Sequence, residues 1–217
     1  MKILALEFSS EQRSVAVQID GAICGTATAT GGRNTQALRL IEQALQQAGR
    51  EREDVECLAV GLGPGSYAGI RAAIALAQGW QLARLVKILG ISSALGLAVK
   101  AKQENIFGKV SLVIDAQRNE FYLARYQIEA ATLRETEPLR IATRTEVQAR
   151  SDAGDILIGP EVTNWFPCGH QVFPQATALA VLAAERNEFV AGEKLEPIYL
   201  RETAFLKAPP ARVLSGG

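Results

Sequence analysis

From its start, the chain alternates short apolar runs with turn residues, a pattern that predicts three strands in a meander. Lys2 to Phe8 reads as a buried strand, Arg13 to Ile19 as a second, and Asp20-Gly21 as the hairpin turn into a third near Ala22 to Ala29. Apolar residues then recur with helical spacing at Ala37, Leu38, Ile41, Ala44, Leu45 and Ala48. Asn34 or Thr35 caps this helix and Gly49 stops it. Glu56 to Leu62 is the next strand, followed by a helix from Tyr67 to about Ala83. A strand from Val86 to Ile91 comes next, then a helix capped by Ser92 or Ser93 and running to about Lys102. The polar stretch Lys100 to Lys109 marks a boundary. Beyond it, Val110 to Ile114 and Glu120 to Tyr126 read as a hairpin, Ile156 to Ile158 as a short strand and Gln175 to Phe189 as a helix. The expected organisation is an N-terminal lobe over 1–100, a smaller lobe over 101–206 and a loose tail over 207–217.

Composition narrows the class. The chain has 217 residues with 48% hydrophobic and 21% charged content, enough for a sizeable core. Basic and acidic residues balance at 23 each, so no global field draws nucleic acid, and any RNA contact needs a local patch or a partner. Cys24, Cys57 and Cys168 share no short spacing, which speaks against a disulfide framework and for a reducing compartment. Glu7 interrupts the first apolar run before it reaches signal-peptide length, and no window is long enough for a membrane span. A cytoplasmic protein without membrane association is expected.

The segment Gly61-Leu62-Gly63-Pro64-Gly65-Ser66-Tyr67-Ala68-Gly69-Ile70-Arg71 follows a strand and opens a helix, with Ser66 as a fitting N-cap. Gly63, Gly65 and Ser66 either face a phosphate or form a turn against which another segment packs closely. The stretch is not a P-loop, because no lysine lies between Lys2 and Lys87. As a dinucleotide fingerprint it lacks the acid that should close the second strand, which ends Gly90-Ile91-Ser92. As a nucleophile elbow it lacks glycines two residues either side of Ser66, where Pro64 and Ala68 stand.

Other chemistry is sparse. His170 is the only histidine, and Cys168-Gly169-His170 has nothing nearby to complete a tetrahedral metal set. No catalytic or metal-binding residue is assigned. Glu7 reads as a locally bonded strand-end carboxylate, and Asp115 ends the matching strand of the second lobe. Arg13, Arg33, Arg71, Arg84 and Lys87 are scattered rather than interleaved with aromatics. The two helices on either side of the fourth strand carry more information. In the helix after Ser66, Arg71, Ile74, Gln78 and Gln81 form a stripe distinct from the apolar side made by Ala72, Ala73, Leu76, Ala77, Trp80 and Ala83. In the earlier helix Gln36, Arg39, Leu40, Gln43 and Gln47 do the same. These stripes are either solvent faces or a partner interface.

The order of elements in the first half resembles one lobe of the two-lobed actin-like ATPase (ribonuclease H-like) fold, an α/β architecture of mixed sheets flanked by helices. A closer resemblance rests on five collinear segments: Leu4 to Ser10, Asn34-Thr35-Gln36, Gly63 to Arg71, Asp115-Ala116 with Glu120-Phe121-Tyr122, and Glu196-Pro197-Ile198-Tyr199-Leu200-Arg201. Together they resemble the TsaB (YeaZ) family. That resemblance implies a non-catalytic scaffold that partners TsaD as it forms N6-threonylcarbamoyladenosine beside the anticodon of tRNAs reading codons that begin with A. It also implies the small ATPase TsaE as a further partner, tRNA engaged through the assembly, and a homodimer when TsaD is absent. The chain then needs no cofactor of its own, and a nucleotide at the partner interface stays open. The helices beginning near Thr35 and Tyr67 would dock as a bundle. Glu7-Phe8, Asn34, Ala68 and Gln117 depart from the family's usual Asp-Thr, His, Thr and Arg. The competing expectation is an independent kinase or ATPase of the same fold, or a peptidase.

Overall fold

The computed structural model describes residues 1–31 and 37–200, which form two five-stranded sheets with the same wiring. In the first, β1 (Lys2–Glu7), β2 (Gln12–Ile19) and β3 (Ala22–Thr30) form an antiparallel meander. Strands β4 (Cys57–Gly61) and β5 (Lys87–Ile91) add in parallel beside β1, giving the order β3-β2-β1-β4-β5. The second sheet repeats this with the meander β6 (Gly108–Asp115), β7 (Glu120–Ile128) and β8 (Leu133–Thr143), and the parallel strands β9 (Ile156–Gly159) and β10 (His170–Gln171). Its order, β10-β9-β6-β7-β8, is the same arrangement read from the other edge. This duplicated topology is that of the actin-like ATPase fold.

Each sheet is covered on both faces, which is why the central strands β1, β4 and β6 are almost wholly buried. Helices α1 (Ala37–Gln47) and α2 (Tyr67–Ala83) pack on one face of the first sheet, where Leu40, Ile41, Ala44, Leu45, Ile70, Ala73, Ile74 and Ala77 meet Leu4, Leu6, Phe8, Val15 and Val60. The other face is covered by α5 (Ala176–Ala184), through Ala176, Leu179, Ala180 and Ala183 against Ile3, Ala5, Ala59 and Ile91. Helix α3 (Ser93–Gln103) follows the first sheet in sequence yet packs on the second, with Leu97, Ala98 and Ala101 against Val110, Leu112 and Tyr126. Both α3 and α5 thus cross the division expected near residue 100. They also touch each other, the bare Cα of Gly96 making room for the Leu179 side chain.

Helix α5 is shorter than the sequence pattern suggests, ending at Ala184 rather than near Phe189. Three elements have no counterpart in the sequence reading, the first being the two-residue strand β10. Strand β8 is a sheet edge carrying Arg134, Glu135, Glu137 and Arg140, so its polar pattern is that of a protected edge rather than a half-buried strand. Helix α4 (Arg144–Asp152) buries only Val147, leaving little periodic signal. Its capping box was nonetheless readable, with Thr143 N donating to Glu146 Oε2 at 2.8 Å and Glu146 N to Thr143 Oγ1 at 3.3 Å. Residues Asn34, Thr35 and Gln36, Arg201 and the tail lie outside the described residues. Among the described residues no helix is long and apolar enough to cross a membrane.

One polar cluster ties the second sheet together. Asp155, buried, accepts from Arg125 at 2.6 Å and from the Ser111 hydroxyl at 2.8 Å. Arg125 also pairs with Glu137 at 3.3 Å, and Glu137 with Arg150. Replacing Arg125→Met should leave the Asp155 carboxylate buried without its cation and reduce unfolding free energy by about 3–5 kcal/mol. The double change Arg125→Met/Asp155→Asn should cost less than the single one. Urea titrations of the three proteins test this, and a single variant within about 0.5 kcal/mol of wild type would refute it.

Candidate partner interface

The glycine-rich turn is shaped by a close backbone approach. Ser66 N donates to Ser9 O at 2.6 Å, so the turn before α2 lies directly on the β1–β2 turn. A Cβ on Gly65 would stand 2.1 Å from Ser9 O, and one on Gly69 would overlap Phe8 O. Only glycine permits this contact. Gly63 N donates to Ser93 Oγ at 3.0 Å and Gly69 N to Ser66 Oγ at 3.3 Å. Of the residues expected to face a phosphate, Gly65 and Ser66 line a cleft, but the amides of Gly63 and Ser66 are already engaged.

That cleft, about 480 Å³, lies between the ends of β1 and β6 and has an acidic, aromatic lining. Glu11, Asp115 and Glu161 contribute carboxylates, and Tyr67, Tyr122 and Tyr199 contribute rings. Burial, then Asp115 and Glu11, push the Glu161 carboxyl up to about 7. Three acids at one cleft oppose a phosphate group. Glu7 does not reach this cleft. It is fully buried, its Oε1 accepts from Ser9 N at 2.8 Å, and its Oε2 lies where a Gly61 side chain would collide. Burial raises its carboxyl above the ordinary range, with Ser9 pulling partly back. Glu7 and Asp115 therefore do not face one another. Asp115 instead accepts from Gln117 N at 2.7 Å and Gln117 Nε2 at 3.1 Å, closing a turn in which Gln117, Arg118 and Asn119 are all left-handed.

The two helix stripes are only partly at the surface. Leu40 and Ile74 are 4% and 6% exposed and belong to the core of the first lobe, contrary to the sequence reading, which set both in contact stripes. Gln78 and Gln81 turn inward to the segment that follows α5, where Gln78 Nε2 donates to Gly192 O at 3.0 Å and Gly192 N donates to Gln81 Oε1 at 2.7 Å. Arg39, Gln43 and Arg71 are exposed, and Gln36 lies outside the described residues. The face that α2 presents outward is instead Tyr67, Ala68, Arg71, Ala75, Gly79 and Leu82, with Leu38 exposed on α1. Leu38 and Leu40 are both apolar and lie on opposite sides of the buried arc, so periodicity alone did not decide which of them turned inward. Of the residues it missed, Tyr199 at least was flagged by the Pro-x-Tyr-Leu-Arg segment.

Cys168 and His170 sit at the surface near β10, with Cys168 Sγ 3.2 Å from Ser151 Oγ. Among the described residues no three His, Cys, Asp or Glu side chains are grouped to hold a metal.

Comparison with known proteins adds a further line. Residues 28–153, more than half of the chain, match the family model described as TsaD: tRNA N6-adenosine threonylcarbamoyltransferase. The Escherichia coli tRNA threonylcarbamoyladenosine biosynthesis protein TsaB is 27% identical over 98% of this chain and 100% of its own length. A solved structure of YeaZ from Pseudomonas aeruginosa superposes with a TM-score of 0.77 at 27% identity, over 92% of this chain and 99% of that one. A second structure from that organism, described as similar to peptidase YEAZ, gives 0.78 at 27% identity with the same coverage.

The cleft has a pH signature. Because Glu161 holds its proton more tightly when folded than its ordinary value of 4.5 allows, stability should fall as pH rises from about 4.5 to about 7 and level off above. Glu161→Gln removes that decline. The variant should exceed wild type in melting temperature at pH 8 and match it at pH 4.5. An offset of equal size at both pH values would contradict the assignment.

Proposed function

The chain belongs to the threonylcarbamoyltransferase (TsaD) family in its TsaB, or YeaZ, branch, and from that premise we propose that it is the non-catalytic partner of TsaD in forming N6-threonylcarbamoyladenosine on tRNA. The observation that carries this reading is the outward face of α2. Ala68, Ala75, Gly79 and Leu82 share it at helical spacing, Leu82 is 91% exposed, and the bare Cα of Gly79 faces open space. A glycine inside a helix costs about 1 kcal/mol relative to alanine, and nothing among the described residues requires one at this position. A second helix approaching closely would. The docking surface comprises this face and the exposed residues of α1, Leu38, Arg39 and Gln43, with TsaD as the occupant and a second copy when TsaD is absent.

In this reading TsaE and tRNA engage the assembly rather than the isolated chain. The protein works in the cytoplasm without a cofactor of its own, and any nucleotide sits at the partner interface. The engaged amides of the glycine turn and the acidic cleft argue against an independent kinase or ATPase.

Two surface changes test the interface. Ala75→Asp should fold as wild type, because exposed helix positions tolerate substitution within about 0.5 kcal/mol, but should abolish capture of TsaD. Gly79→Ala should stabilise the isolated protein by about 0.5–1 kcal/mol while weakening TsaD binding. Thermal melting and calorimetric titration measure both, and undiminished affinity in both would place the interface elsewhere. Depletion in cells should lower threonylcarbamoyladenosine in bulk tRNA, and an unchanged nucleoside level would overturn the functional reading.

A further inference from the structure

Helix α2 has seventeen residues and one charge, Arg71. That arginine stands exposed on the same face as Ala68, Ala75 and Gly79. Its guanidinium carbon lies 4.3 Å from the centroid of the Tyr67 ring, and Tyr67 in turn stacks on Tyr199 at 5.5 Å with the planes 23° apart. The ion pairs among the described residues all involve other groups. A guanidinium stacked by its face keeps its in-plane N–H fork for a bidentate acceptor.

The stack is itself held from a distance. After α5 the chain returns across the first lobe as a strap. Val190 N donates to Ile88 O at 2.9 Å, Gly192 is bonded by Gln78 and Gln81, Leu195 is buried against the core, and Ile198 N donates to Leu62 O at 2.8 Å. Tyr199 follows directly and lands on Tyr67. The C-terminal segment thereby sets the orientation of a side chain more than a hundred residues earlier in the chain.

We infer that Arg71 is the specificity-determining charge of the α2 surface, taking a carboxylate presented by the facing surface of TsaD, and that Tyr67 and Tyr199 are its positioning residues. This rests on the docking of TsaD to α2 proposed above. A guanidinium enclosed between apolar helix faces without an anion opposes association, so the partner that binds best supplies an acid opposite it. A second copy of this chain supplies none readily. Helix α2 has no acidic residue, and the single acid of α1, Glu42, already pairs with Arg52. Arg71 therefore favours the heteromeric contact over the two-fold self-contact.

The test is calorimetric titration of TsaD, at low and high salt, with wild type, Arg71→Gln, Arg71→Lys, Tyr199→Ala and Tyr199→Phe, each first checked for folding by thermal melting. Self-association is followed in parallel by sedimentation. Arg71→Gln should weaken TsaD binding by about tenfold or more, flatten its salt dependence, and leave self-association unchanged or strengthened. Arg71→Lys, keeping the charge without the planar fork, should fall between. Tyr199→Ala should weaken binding and Tyr199→Phe should restore it, a rescue that follows from the ring stack. Unchanged affinity and salt slope in Arg71→Gln would overturn the inference while leaving the docking surface standing. Loss confined to tRNA binding by the assembled complex would overturn it too, by assigning the guanidinium to phosphate. Wild type that does not bind TsaD at all would remove the docking reading itself.

Discussion

The backbone contact between the turn before α2 and the β1–β2 turn is the constraint on which the rest of the first lobe depends. Ser66 N and Ser9 O meet at 2.6 Å, and Gly65 and Gly69 leave no room for a side chain between the two turns. This contact fixes the start of α2 against the end of β1. It also determines chemistry. A turn whose amides point at neighbouring backbone and side-chain oxygens has few left for a phosphate, so the segment that resembles an anion cradle works as a joint. The helix that leaves this joint buries Ile70, Ala73, Ile74 and Ala77 and turns Ala68, Ala75 and Gly79 outward.

The two lobes are wired through each other. Helix α3 lies under the second sheet and α5 under the first, the Ala176 amide donates to Ser14 Oγ at 2.9 Å, and Gly96 receives Leu179 where the two helices touch. The strap after α5 then returns to α2 and brings Tyr199 to the mouth of the cleft. Neither lobe thus completes its core from a contiguous stretch of chain. The orientation of α2, and with it the candidate docking face, depends on residues from both ends of the sequence.

Electrostatics sets the character of the cleft between the two lobes. The strand-end acid Glu7 is enclosed beside Gly61 and does not line the cleft, and burial raises its carboxyl above the ordinary range. Of the acids that do line the cleft, Glu11, Asp115 and Glu161, the last has its proton affinity raised first by burial and then by the other two. An acidic opening walled by tyrosines, with a nearly uncharged helix face beside it, is the surface on which the proposed contact with a partner rests.

Local information was enough for much of this. Apolar runs bounded by turn residues located β1, β2, β4 and β5, because strands covered on both faces leave a nearly continuous apolar signal. Ser66 as the cap of α2 is local as well, since a cap needs only residues three apart, and so is the Thr143–Glu146 box of α4, which the sequence reading passed over. The five collinear segments were sufficient for the family. Tertiary structure alone decided which way each helix turned. A 3.6-residue period states that one arc is buried but not where its centre lies when apolar residues flank it on both sides, as Leu38 and Leu40 do in α1. Gln78 and Gln81 have the composition of a surface, yet they bond to Gly192, more than a hundred residues later in the chain. Strand β8, with its charged edge, acquires its identity only from pairing with β7. These outcomes depend on contacts between segments distant in sequence, and no local pattern encodes which distant segment will arrive.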